Sequence, residues 1–560
     1  MIPISEQAYA KRRPEVEADK QDDSRLIRNP ILSGFHPDPS ILRVGEDFFI
    51  ANSTFEWFPG VQISTSRDLV NWSVRTHCLT RRSQLDLRGT PRSGGVWAPC
   101  LTHDGRQFWL VFTHVKHWSF GFDDCHNFLV TAPTIDGPWS EPIYLNSSGF
   151  DPSLFVDRDG RKWLLNMLWD HRPGRDPFAG IVLQEYDERR MELVGVPKLI
   201  FRGTKLGRTE GPHLYLKGDF YYLVVAEGGT GLEHAVTVAR SKQIDGPYEI
   251  DPAGPMLTSK DAPELTLQKA GHGSLVCTQN GEWYIAHLCA RPVRPSMRCV
   301  LGRETALQRI EWNGVGWPRL ATGGSHPEVY VPAPRLETQQ PPTIVERDDF
   351  NDLKLGNQYQ TLRIPPDEQW LSLCERRGYL RLRAMESPQS LHCQSIVARR
   401  FQSFSCRFET CLEFFPQNFQ QMAGLMCLYD DQNFYYALIG IDQEFGRHVC
   451  VLKSSSSILT TGPRIDIPSS AGRVYLRAEY HFDTLNFFYS LDCDTWTTLA
   501  SRLDATILSD EHATAGLGFT GALGAICAHD MSGRRIIADF DYFEYRELED
   551  TRTPSHAKTS

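Results

Sequence analysis

The sequence predicts an all-β protein, a five-bladed β-propeller followed by a β-sandwich, and three observations carry that expectation. First, one phrase, a small or polar turn residue leading into an aromatic-rich strand pattern, occurs five times, beginning at Asp38, Ala98, Asp151, Gly211 and His272. These starts lie about sixty residues apart, room for four short strands and their connections, which is the repeat of a propeller blade. Second, the turn dipeptides Asp104-Gly105, Asp159-Gly160, Gly218-Asp219 and Asn280-Gly281 fall between apolar runs, a strong local hairpin signal. Third, no segment sustains a helical period, and from Glu346 onward short alternating runs such as CRFETCLEFF, NFYYALIGI and RVYLRAEYHF suit antiparallel strands packed as two sheets.

In chain order, residues 1–26 are polar and charged without an apolar core segment, and read as a flexible extension with no secretory leader. The propeller is expected over 27–330. Within it Pro39, Pro99, Pro152 and Pro212 each mark the start of a strand, where a missing N–H removes no interior ladder bond. The run VPAPRLETQQPP lacks an apolar period and opens a linker assigned to 331–345. The sandwich is expected over 346–547, its Asp348–Phe350 start beside its Asp539–Tyr545 end, and 548–560 as a disordered tail.

Composition narrows the function classes. The 560 residues carry a net charge of −10 with no basic patch interleaved with aromatics, which argues against nucleic acid, and no apolar stretch long enough for a membrane helix. Fourteen Cys show neither CxxC pairs nor zinc spacing, and several, such as Cys277 and Cys289, sit in strand-like runs. They read as buried thiols of a reducing compartment, which with the missing leader gives a cytoplasmic protein.

The informative positions are those at the head of each phrase. Asp38, Asp151 and His272 occupy the first position, while Trp97 and Glu210 directly precede it in the second and fourth copies. Equivalent positions in a radial fold converge on one axis, so three carboxylates, a Trp and a His are expected in one small volume. Like charges gathered there raise one another's pKa, an arrangement a purely structural design avoids. Chemistry that needs one protonated acid and one ionised base gains from it, and inverting glycoside hydrolysis is the leading case. Trp97 would supply an apolar wall for the C–H face of a sugar.

The runs NPILSGFHPDP at Asn29–Pro39, STFEWFPG at Ser53–Gly60, SGGVWAP at Ser93–Pro99, SSGFDPSL at Ser147–Leu154, TEGPHL at Thr209–Leu214, KAGHGS at Lys269–Ser274 and LGRETALQR at Leu301–Arg309 resemble glycoside hydrolase family 43, and more closely its two-domain β-xylosidases. The resemblance runs from Asn29 to about Glu547. It implies a concanavalin-like sandwich, Asp38 as general base on the attacking water, Glu210 as general acid, and Asp151 as the third carboxylate that orients the acid and tunes its pKa. It further implies that His272 and Arg303 face the same subsite, with Arg303 pairing Asp151 or a sugar hydroxyl. Phe55, Trp97 and Trp169 would line the pocket, and Phe519, on a loop of the sandwich, would cover it.

The expected activity is exo-acting, inverting release of terminal β-D-xylose from xylo-oligosaccharides, with α-L-arabinofuranosidase side activity left open. The mechanism requires no cofactor and no metal, although a divalent cation such as calcium near the propeller axis beside His272 is compatible with it; a homo-oligomer is expected. Two alternatives differ in class: a carbohydrate-binding protein without catalysis, against which three crowded carboxylates speak, and a retaining fructosidase on the same architecture. Arg175-Asp176-Pro177 is similar to a motif of retaining fructan hydrolases, but it falls late in the third blade without their other signatures and is set aside.

Overall fold

The computed structural model describes residues 26–513 and 518–549. Of the extension 1–26 and the tail 548–560 expected as flexible, 1–25 and 550–560 lie outside the described residues, as does 514–517, whereas Leu26 belongs to a strand and the Leu548 N–H donates to Ser405 O. Five antiparallel sheets of four principal strands follow one another, each in simple up-and-down order. Their innermost strands are Ser40–Val44, Gly95–His103, Ser153–Val156, Glu210–Lys217 and Gln268–Cys277. The hairpin dipeptides fall at the turns after these strands, as the apolar runs on either side require. The ring closes where Leu26–Arg28 pairs with Tyr330–Pro332 and where the Asn29 side chain both donates to and accepts from the backbone of Leu307 in the fifth blade. Val331, read as the head of the linker, is therefore the centre of a strand.

The first residue of every repeated phrase has a left-handed backbone: φ is 51° at Asp38, 31° at Ala98, 55° at Asp151, 56° at Gly211 and 49° at His272. For a residue with a side chain that conformation costs roughly 1–2 kcal/mol, so the repeat is a shared backbone kink at the axis as well as a shared pattern. Two prolines depart from expectation. Pro39 and Pro152 precede their strands, but Pro99 and Pro212 lie inside Gly95–His103 and Glu210–Lys217, each at a register shift in the pairing. A bulge leaves that residue unpaired, so the missing N–H is tolerated there too.

The C-terminal half consists of two packed sheets of eight and nine strands among the described residues. The runs read as alternating form strands, among them Ser405–Glu413, Phe434–Asp442 and Val474–His481, the last alternating buried and half-buried positions throughout. Arg347–Asp348 pairs with Ile537–Glu547 and so joins the beginning of this half to its end. Four residues, Ala505–Leu508, form a 3-10 turn, and no described helix is long and apolar enough to cross a membrane.

The two halves are not merely tethered. Trp57–Phe58, from the first blade, pairs with Gln360–Leu362 and forms the outermost strand of the nine-stranded sheet. One apolar cluster runs through both halves, with Phe35, Phe55, Trp57 and Trp97 packed alongside Leu362, Ile396, Met426 and Phe434. At Gly302, where φ is +74°, a Cβ would collide with the carbonyl of Thr520. Glycine permits that close approach of the two backbones.

Candidate active site

A cavity of about 480 Å³ lies at the axial end of the propeller, lined by Asp38, Asp151 and Glu210 together with Phe55, Trp97, His272, Arg303 and Phe519. The three carboxylates, spread over more than 170 residues of sequence, are each 7% exposed. Asp38 is held from two sides. Ser53 Oγ–H donates to its Oδ2 at 2.7 Å, and the Ala98 N–H in turn donates to Ser53 Oγ at 2.7 Å, so one serine ties the first blade to the second. Its Oδ1 lies 3.8 Å from His272 Nδ1 and 3.9 Å from Arg303 Nη1. Arg303, expected beside Asp151 or a sugar hydroxyl, is thus nearest to Asp38 among the acids. The Arg303 chain segment is fixed by its N–H bond to Thr520 O, and its guanidinium lies 4.4 Å from the centre of the Phe519 ring.

Asp151 receives the Gly211 N–H on Oδ2 at 3.0 Å and gives its own N–H to Thr113 Oγ1 at 3.2 Å. In the fourth blade the acid shifts back one residue for a steric reason. A Cβ at position 211 would meet Cε1 of His272 at 3.0 Å, so glycine stands at the kink and Glu210, just before it, carries the carboxylate.

Burial dominates the electrostatics. It pushes Glu210 up to about 8, with the Asp38 charge adding to the rise and Arg303 and Arg208 opposing it. Asp151 is raised well above the usual carboxylate range by burial and then by the charges of Glu210 and Asp38, against the Gly211 N–H and Arg303. The site therefore retains a carboxyl proton at neutral pH. Burial also lowers His272, assisted by Arg303 and opposed by Asp38, so its ring is neutral.

The walls are aromatic. Trp97 packs edge-on against Phe150 at 5.4 Å and Phe519 at 5.5 Å, and Phe55 lies 6.2 Å from both Trp97 and Phe519. Ser93 holds this wall, accepting Trp97 Nε1–H on its carbonyl at 2.7 Å and the Phe519 N–H on Oγ at 3.2 Å. Glu511 is tied to the propeller as well: Lys269 Nζ lies 2.6 Å from Glu511 Oε1, and the Cys299 N–H donates to Glu511 Oε2 at 2.8 Å. Trp169 is displaced from its expected place. It does not line the cavity but stands behind it, against Trp118 at 5.1 Å and Phe178 at 5.5 Å, its Nε1–H on Gly121 O at 2.9 Å.

Sequence reasoning missed Trp118, Phe120, Phe150, Phe178 and Arg208, and set aside Asp176 and Pro177, all of which line the cavity. Phe150 carried a usable signal, since it precedes Asp151 as Trp97 precedes Ala98. Arg208 lies two residues before Glu210, just ahead of the fourth phrase. Trp118, Phe120, Asp176 and Pro177 sit in connections between strands, and Phe178 is the first residue of the strand Phe178–Asp187, where no period yet marks it.

A propeller whose axial cavity gathers buried acids between aromatic walls defines a carbohydrate-cleaving enzyme. Residues 27–318 match the family described as glycosyl hydrolases family 43, and 347–546 match the beta xylosidase C-terminal concanavalin A-like domain. The chain belongs to glycosyl hydrolase family 43. It is 48% identical over 532 residues to a beta-xylosidase of Bacillus subtilis (strain 168), covering 93% of this chain and 99% of that protein. It is 47% identical over 531 residues to xylosidase/arabinosidase 43B of Humicola insolens, covering 93% and 98%. The crystal structure of a xylan beta-1,4-xylosidase from Bacillus halodurans C-125 superposes with a TM-score of 0.91 at 52% identity, covering 93% of this chain and all of that one.

Proposed function

We propose that this protein is an exo-acting, inverting β-xylosidase that removes terminal β-D-xylose from xylo-oligosaccharides. The observation that carries the reading is the meeting of three buried carboxylates in one aromatic-walled cavity, with Glu210 held protonated to about pH 8. Glu210 gives its proton to the glycosidic oxygen as the C1–O bond breaks. Asp38, fixed by Ser53, takes a proton from the water that attacks C1 from the opposite face. Asp151, bonded to the amide beside Glu210, sets the charge around the acid. His272 and Arg303 fix the orientation of Asp38 and reach the hydroxyls of the sugar. Proton transfer and water attack need no cofactor, and a divalent cation beside His272 is not part of the mechanism. Arabinofuranosidase side activity is a second reading, favoured by the likeness to the xylosidase/arabinosidase. A cytoplasmic setting is supported by fourteen unpaired cysteines, and self-association through the sandwich by the exposed Phe415, Phe419 and Phe445.

The test is the anomer of the first-formed xylose, read by NMR during hydrolysis of an aryl β-xyloside. α-Xylose is expected; β-xylose formed first would mean retention and a nucleophilic carboxylate. Phe519 closes the cavity from the sandwich side, so Phe519→Ala should lower kcat/KM about tenfold on every xyloside, the scale of one lost aromatic contact. Unchanged kinetics would take Phe519 out of the site.

A further inference from the structure

Glu56 follows Phe55 in the chain but stands behind the cavity and does not line it. It is 2% exposed, at the seam where the first blade meets the sandwich. An interior carboxyl is costly unless it is fully bonded, yet Glu56 Oε2 has no hydrogen-bond partner among the described residues. Its Oε1 accepts the Ser93 N–H at 3.3 Å. A side chain serving packing alone would be apolar here, as Phe55 and Trp57 on either side are.

Ser93 is the point where the two sources of the aromatic wall meet. Its carbonyl accepts Trp97 Nε1–H from the second blade, and its Oγ accepts the Phe519 N–H from the sandwich. Its backbone is left-handed, with φ at 54°, and Gly94 and Gly95 follow it, so local preference does not fix it. The charged seam does. Arg363, also 2% exposed, donates its N–H to Glu56 O at 3.0 Å and its Nε–H to Thr90 O at 2.9 Å, gripping the segment 90–93 at its start as Glu56 grips its end. Asp431 lies 3.8 Å from Arg363 Nη2 and 2.7 Å from Arg92 Nη2. Burial pushes the Glu56 carboxyl up to about 7, against the Arg363 charge and the Ser93 N–H and with Asp430 adding to the rise.

We infer that Glu56 is a positioning residue for the reaction: through Ser93 it sets where the Trp97 and Phe519 rings stand, and so how closely the wall grips the sugar held against the carboxylates. The inference rests on the proposed xylosidase activity. Ionised Glu56 is the holding form, bound to the Ser93 N–H as a carboxylate and drawn to Arg363. As pH falls through about 7 it takes up a proton, the bond to Ser93 becomes an ordinary neutral one and the pull of Arg363 is lost. The wall then loosens and KM rises. This acid-side effect on KM is separate from the proton of Glu210, which acts on turnover at the alkaline side.

The test uses the full chain, with kinetics on nitrophenyl β-xyloside on the acid and alkaline sides of the Glu56 pKa. Glu56→Gln keeps the acceptor and loses the charge. It should raise KM about threefold on the alkaline side, leave it unchanged on the acid side, and keep kcat within about twofold of wild type. Glu56→Ala should raise KM about tenfold on both sides. Ser93→Ala loses the Phe519 bond, and combined with Glu56→Ala it should cost less than the product of the two single effects. If Glu56→Ala fails to fold, the near-isosteric Glu56→Gln decides. The assignment is overturned if KM in Glu56→Gln keeps its wild-type pH course, if the Glu56 and Ser93 effects multiply, or if kcat falls while KM stays. Hydrogen exchange reads the wall without turnover: residues 93–97 and 518–522 should lose protection in Glu56→Gln, and unchanged protection would overturn the assignment. Lost protection in a protein that hydrolyses no xyloside would overturn the proposed activity and leave the grip of Glu56 on the wall standing.

Discussion

Glu210→Ala should lose about 10³-fold or more of its turnover on xylobiose while keeping most of its rate on a dinitrophenyl xyloside. Xylobiose departs as a sugar alkoxide, which needs a proton in the transition state; a dinitrophenolate hardly does. Glu210 can supply that proton because burial and the Asp38 charge hold its pKa up to about 8 despite the nearby Arg303 and Arg208. The same shift fixes the pH dependence. The protonated form is the active one, so wild-type activity on xylobiose should fall as pH rises through about 8, and this alkaline limb should flatten in Glu210→Ala. Asp151→Ala should instead slow both substrates and move the alkaline limb, since Asp151 acts on the charge of its neighbour. Equal losses on both substrates in Glu210→Ala, with leaving-group dependence appearing in Asp151→Ala, would reverse the two assignments.

Asp38→Ala should cost roughly 10²–10⁴-fold or more on every substrate, whatever its leaving group. Activation of water is required for each of them, and Asp38 is the carboxylate placed for it, with one oxygen on Ser53 and the other facing His272 and Arg303. Substrate affinity should change much less than turnover, which steady-state kinetics separate from a folding defect. A variant that keeps wild-type kcat on any glycoside would remove Asp38 from the mechanism.

The convergence of Asp38, Asp151, Glu210, Trp97 and His272 could be read in advance because a radial repeat turns sequence register into spatial position. Each copy adds the same strand at the same distance from the axis, and the kinked residue at its head points inward. What the repeat does not govern stayed hidden. Trp118, Phe120, Asp176 and Arg208 reach the cavity from connections whose paths depend on their own turns and tertiary bonds. Trp169 lies on a strand and in the right blade, but whether it faces the cavity or stands one ring behind it is decided by packing against Trp118 and Phe178. The pairing of Trp57–Phe58 with Gln360–Leu362 was equally invisible, since a strand of two residues has no periodicity. Those residues attracted notice only as part of a family-like motif, with no sign that they belong to the second sheet.

That short strand also determines how the protein comes apart. Trp57 and Phe58 are covalently part of one half and hydrogen-bonded into the other, and the apolar cluster around them draws on both. Loss of the propeller would leave Gln360–Leu362 as a raw sheet edge open to association with another chain. Loss of the sandwich would strip the support from Phe55 and uncover the wall behind the carboxylates. Each half loses part of its support when the other melts, so on heating the 560-residue chain should unfold in a single calorimetric transition, and the cavity should disappear with the fold as a whole.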